Sequence, residues 1–110
     1  MTQAIETDLT LLRANINTET AQIPWRDLQR FFAGGKTVFV APSLDLVEVG
    51  LAVTVDEKKQ LNEWMDAGSV KPVSDRQTQE WINANAVMWC VVVKPWVLVQ
   101  PILSTSTPDT

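Results

Sequence analysis

The stretch AVMWCVVVKPWVLVQPIL at residues 86–103 constrains the fold more than any other, because Lys94 and Gln100 are its only polar residues. Its length lies at the lower edge of what a helix needs to cross a bilayer. A lysine near the middle would cost about 2.5–3.5 kcal/mol on insertion, and Pro95 and Pro101 would each delete a helical hydrogen bond. A β reading fits better. Val91, Val92, Val93, Val97 and Val99 are stiff at the β-carbon, and Trp89 and Trp96 suit a pleated surface. Over residues 86–93 there is no alternation: Val87, Trp89, Val91 and Val93 fall on one side, Met88, Cys90 and Val92 on the other, and both sides are apolar. Such a strand is covered on both faces, so the upstream chain has to supply the cover. Proline cannot donate to a ladder, so Lys94 and Pro95 interrupt the run. The segment is either one bent strand or two strands meeting there, and the lack of Gly, Asn or Asp disfavours a tight primed turn.

Upstream, Ile5, Leu9, Leu12 and Ile16 share one helical face. A polar joint over residues 17–22 leads to Ile23 and to Pro24, which suits a first helical position. The stripe Trp25, Leu28, Phe31 and Phe32 follows, and Gly34 and Gly35 stop it. Residues 36–41 predict a short strand, apolar on both sides, as neighbour of the carboxyl-terminal one. Ser43 is the expected N-cap of a helix with Leu44, Val47 and Leu51 on one side and Asp45 and Glu48 on the other. Thr54 and Glu57 have capping-box spacing and open a helix that turns Leu61, Trp64 and Met65 inward, as far as Gly68. Residues 70–73 read as a short strand that Pro72 marks as an edge. Ser74 and Gln77 form a second capping box, opening a helix with Trp81 and Ile82. The expected architecture is α+β, or small α/β: four to five helices around a three- to four-stranded mixed sheet whose central strand is the segment 87–99. Residues 1–103 make one globular domain, and residues 104–110 a disordered polar tail.

Composition enters through what it excludes. A chain of 110 residues buries roughly 60–70% of its unfolded surface without disulfides or metal. With one cysteine and no histidine, a disulfide framework, Ser-His or Cys-His catalysis and His-ligated metals are all out. Cys90 lies inside the apolar run, where a thiol behaves as a small hydrophobe. The amino-terminal MTQAIETDLTLL lacks the basic region of a signal peptide, so a cytoplasmic, reducing setting is expected. No glycine-rich phosphate loop follows a strand, so no nucleotide cofactor is expected. The net charge of −4 gives no whole-molecule attraction to nucleic acid or anionic lipid.

Residues 19–49, with IPW followed by LQRFF and then LDLVEV, and residues 89–100, with PWVLVQ, resemble a family of small bacterial proteins known as domain of unknown function 2288. The resemblance covers most of residues 18–100. It implies a stand-alone cytoplasmic bacterial domain and transfers no catalytic residue.

Three functional classes are in play, with a small-ligand binder as a further alternative to the enzyme. An enzyme would rest on the carboxylates Asp45 and Glu48, a helical turn apart, with Arg30, Lys36 or Lys94 as neighbours, but such a pair is usually a solvated face. A nucleic-acid binder would use residues 56–83 as a helix-turn-helix. Their seven-residue joint is too long for that motif, and the second helix sets one arginine against Asp75 and Glu80. The favoured reading is a non-catalytic protein-interaction module that self-associates, with neither metal, membrane nor nucleic acid as partner. It rests on an edge strand at residues 70–73 and on apolar area at residues 96–103 beyond what a small sheet needs. The residues expected to meet a partner are Trp25, Arg30, Asp45, Glu48, Lys94 and Trp96, where charge sits beside tryptophan.

Overall fold

The apolar stretch folds as two strands. In the computed structural model, which describes residues 2–102 with side chains from Leu9 onward, β4 (Val87–Val93) and β5 (Trp96–Pro101) pair antiparallel, with Val93 opposite Trp96. Lys94 and Pro95 form the turn, and their peptide bond is cis. That is the turn class that takes proline where primed turns take Gly or Asn.

Around this hairpin the chain runs α1 (Thr2–Glu19), β1 (Ala21–Pro24), a 3-10 turn (Trp25–Leu28), α2 (Gln29–Ala33), β2 (Thr37–Val40), α3 (Leu46–Thr54), α4 (Lys58–Asp66), β3 (Val70–Pro72) and α5 (Asp75–Asn83). The sheet has five strands in the order β1-β4-β5-β2-β3. Only β2 and β5 pair in parallel, Val38 opposite Leu98, so β5 is the central strand of a mixed α+β sheet. The strand beyond the expected three or four is β1, which corrects the reading of residues 17–24 as a polar joint and a helix start. Pro24 has extended geometry (φ −60°, ψ 138°) and ends an edge strand. Ala21 and Gln22 are exposed, so β1 carries no alternation a sequence could show.

A layer packs on each face of the sheet, but the cover of β4 is incomplete: Val87, Trp89 and Val92 stay exposed. On the first face Val40, Val70, Val91, Val93 and Leu98 pack under Ile16 of α1 and Leu46, Val49 and Leu51 of α3, with Trp64 of α4 at the margin. On the second face Met88, Cys90, Val97 and Val99 pack under Trp25 and Leu28, with Phe31, Phe32 and Trp81 around them. Gly50 lets α3 approach α1 and β4 closely. A β-carbon there would lie 3.1 Å from Cγ2 of Ile16 and 3.6 Å from Cγ2 of Val93.

Helix starts divide the expectations. Ser74 and Gln77 form both halves of their capping box. Thr54 does not cap α4. It ends α3 and donates its hydroxyl to the Gly50 carbonyl at 2.8 Å, while Asp56 turns the chain at φ 60° and α4 begins behind Glu57 without a side-chain cap. Asp45, not Ser43, caps α3 by accepting from the Val47 N–H at 3.0 Å. Met65 is exposed instead of turned inward, and Ile82 of α5 is exposed as well. The helix-turn-helix reading is also corrected. β3 is hydrogen-bonded into the sheet between α4 and α5, and Trp64 and Trp81 of those helices join cores on opposite faces.

Among the described residues no helix is long and apolar enough to cross a membrane. The expected tail at residues 104–110, and the place of the Ile5 side chain, lie outside the described residues.

Candidate functional site

The six residues expected to meet a partner do not form one site. Trp25 belongs to the core at 0% exposure, a correction that follows from its position as first residue after β1. Its indole N–H donates to the Thr78 hydroxyl, and its ring lies edge-on to Trp81 and Phe32 at 4.9 and 6.0 Å. Asp45 is used as the cap of α3. Glu48 pairs across to α1, accepting from Nε of Arg13 at 2.6 Å and from its Nη2 at 3.3 Å. This hydrogen bond, and then the charge of Glu48, raise the Arg13 pKa further above its ordinary value. None of Arg30, Lys36 and Lys94 is the partner of that carboxylate. Arg30 lies over the ring of Phe31 at 5.0 Å. Lys94 and Trp96 stay together at the hairpin turn, both exposed.

The apolar area expected at residues 96–103 is absorbed, because β5 is central: Val97, Leu98 and Val99 are buried. Open apolar surface appears instead on β4. Val87 and Trp89 are 41% and 37% exposed although β4 is an interior strand. By alternation they share the first face with Val91 and Val93, beyond the reach of the helices that cover those two. Trp89 stands between Gln22 of β1 and Gln100 of β5. The Gln100 amide donates to the carbonyls of Ala41 and Leu44 at 2.9 and 2.7 Å, which satisfies that nearly buried side chain. Val87 continues into an open groove of about 510 Å³ lined by Gln22, Trp81, Ala86, Met88, Pro101 and Ile102. Among the described residues no charged one lines it. Sequence reasoning missed Val87 and Trp89 as surface, since an apolar strand residue reads the same whether or not a helix covers it.

Proline removes an outward N–H from each sheet edge. Trp25 N–H bonds to the Ala86 carbonyl beside β4. Ladder groups alternate in direction, so Ile23 and Ala21 also face β4 and Pro24 faces outward without an N–H. Val73 N–H bonds to the Thr37 carbonyl, so by the same alternation Pro72 is the outward residue of β3. The edge at residues 70–73 is therefore better protected than its shortness suggests.

Cys90 is buried, and burial pushes its thiol up to about 11. Such a thiol is inert at neutral pH. Among the described residues no group of three or more Cys, Asp or Glu side chains is arranged to hold a metal ion.

The hairpin end differs in chemistry. Lys36 lies over the Trp96 ring, its Nζ 6.0 Å from the centroid. Trp96 is 39% exposed, and Lys94 is two residues away in the turn. Among the described residues ion pairs join Arg13 to Glu48, Lys58 to Asp56 and Arg76 to Glu80, and neither Lys36 nor Lys94 takes part. None of the five strands carries an Asp or Glu.

Comparison with known proteins gives two findings. The family profile described as "Protein of unknown function (DUF2288)" matches residues 11–101. The solution NMR structure of PA1075 from Pseudomonas aeruginosa superposes with a TM-score of 0.77 at 34% identity, over 90% of this chain and 92% of that one. No curated protein matches the sequence.

Proposed function

Because the chain belongs to the DUF2288 family of proteins of unknown function, and membership assigns it no activity, we propose that it is a non-catalytic protein-interaction module that joins a second copy of itself. The observation that carries this reading is the exposed Val87 and Trp89 on an interior strand, Val87 also lining a groove in which no described residue is charged. A large exposed ring such as that of Trp89 is the kind of anchor that dominates binding energy at interfaces. The absence of charge favours a second copy as occupant. Two chains of net charge −4 repel at a distance, and this corner lets them meet without setting like charges face to face. Proline at both edges favours face-to-face docking over strand addition, and a self-complementary patch closes as a two-fold dimer. A cytoplasmic setting fits the single buried thiol.

Analytical ultracentrifugation of the intact chain and of the Trp89→Ser and Val87→Asp variants tests the reading. The wild type is expected to sediment as a dimer, with each variant dissociating at least tenfold more readily while its far-ultraviolet circular dichroism is unchanged. A wild type that stays monomeric at every concentration, or variants that dimerise as well as it does, would overturn the proposal.

A further inference from the structure

We propose that the hairpin end of the sheet is a second docking surface, on which Trp96, with Lys36 over its ring and Lys94 in the adjoining turn, takes an acidic segment of a different protein. This inference does not depend on self-association, which involves the opposite end of β4. The argument is charge complementarity around one exposed ring. Trp96 begins the central strand yet remains 39% exposed. Lys36 lies over its face, and Lys94 immediately precedes Pro95 in the turn before it. Neither ammonium group has a carboxylate partner among the described residues. The chain has 13 acidic residues against 9 basic ones, so a shortage of acids does not explain why Lys36 at the ring and Lys94 in the turn make no ion pair among the described residues. Asp75 follows Val73, whose N–H bonds to Thr37 next to Lys36, and even this acid makes no ion pair with Lys36 among the described residues.

A cation already seated on a ring keeps its remaining donors free for an incoming carboxylate, while the uncovered part of the indole offers an apolar contact. A segment that places an apolar side chain between acidic residues satisfies all three groups. Nucleic acid fits less well. Two lysines would release about two counterions, giving a salt slope near −1.8, a weak hold against the repulsion of a net-negative protein.

The test uses the intact, nitrogen-15-labelled protein and a capped peptide of sequence Glu-Glu-Leu-Phe-Glu-Glu as probe. The Trp96 indole N–H signal and the backbone amides of Lys36 and Lys94 are expected to shift with the peptide. Apparent affinity should fall at least threefold between 50 and 200 mM salt. Lys36→Glu and Lys94→Glu are each expected to weaken binding at least fivefold, with the rest of the spectrum in place. Four outcomes would overturn the proposal, the first three being no shift at Trp96 with millimolar peptide, equal binding by the charge-reversed variants, and an oligothymidylate that displaces the peptide. The fourth is a lower mass of the free protein when Lys36→Glu and Lys94→Glu are combined, which would mean that this end holds a second copy and not a different protein. The Trp89→Ser variant should bind the peptide as the wild type does, which separates failure here from failure of the self-association reading.

Discussion

Cys90 shows how one buried atom sets a measurable pH dependence. Its thiol rises from the ordinary 9.0 to about 11 because burial penalises the thiolate. A group whose pKa is raised on folding stabilises the fold fully below its unfolded value, so the contribution is present below pH 9 and is lost as pH climbs through 11. We expect Ellman's reagent to label native protein at pH 8 far more slowly than urea-unfolded protein. Urea midpoints of the wild type should fall between pH 8.5 and 11 more steeply than those of Cys90→Ala. Trp25 gives a second prediction at this scale. Removing its hydrogen-bond partner with Thr78→Val should cost about 1–3 kcal/mol, read from urea denaturation. The same residue marks the limit of sequence reasoning about the site. Beside Arg26 and Asp27, Trp25 reads like an interface aromatic, and only its position where β1 gives way to the 3-10 turn sends the ring into the core.

At the scale of elements, two capping signals of equal appearance had different outcomes. Ser74→Ala removes a hydroxyl that accepts from the Gln77 N–H and should cost about 1 kcal/mol. Thr54→Ala removes a bond back to Gly50 on an exposed side chain and should stay within about 0.5 kcal/mol. Chemical denaturation of the pair distinguishes a real cap from a coincidence of spacing. Their difference was illegible because Thr54 satisfies either role, and the length of α3 decided which. β1 was illegible for another reason, since four residues with two exposed carry no periodicity. Gly50 gives a sharper test of how α1 docks. Gly50→Leu would drive a side chain into Ile16 and Val93, and overpacking of this kind costs about 1–3 kcal/mol. Its thermal midpoint should drop even though leucine is the better helix former.

For the molecule as a whole, the α+β class was readable because a strand apolar on both sides requires two covering layers, and amphipathic helices upstream could provide them. Strand order was not readable. Nothing in the spacing says that β2 pairs in parallel with β5 while β1 adds to β4, and that order decides which apolar residues remain open. Placing β5 at the centre buries Val97, Leu98 and Val99, and leaves Val87 and Trp89 beside the short β1. The candidate surface therefore moved from residues 96–103 to β4, while Lys94 and Trp96 kept their place at the turn. The claim that rests on this geometry is that the open end of β4 is where two chains meet. A dilution series of nitrogen-15 spectra addresses it directly, since each tryptophan indole reports its own surroundings. Between about 1 mM and 10 µM the Trp89 indole and the Val87 amide should move together as dimers dissociate, while the buried Trp25 indole stays fixed. Signals that do not change over that range, or a change confined to Trp96, would contradict the account.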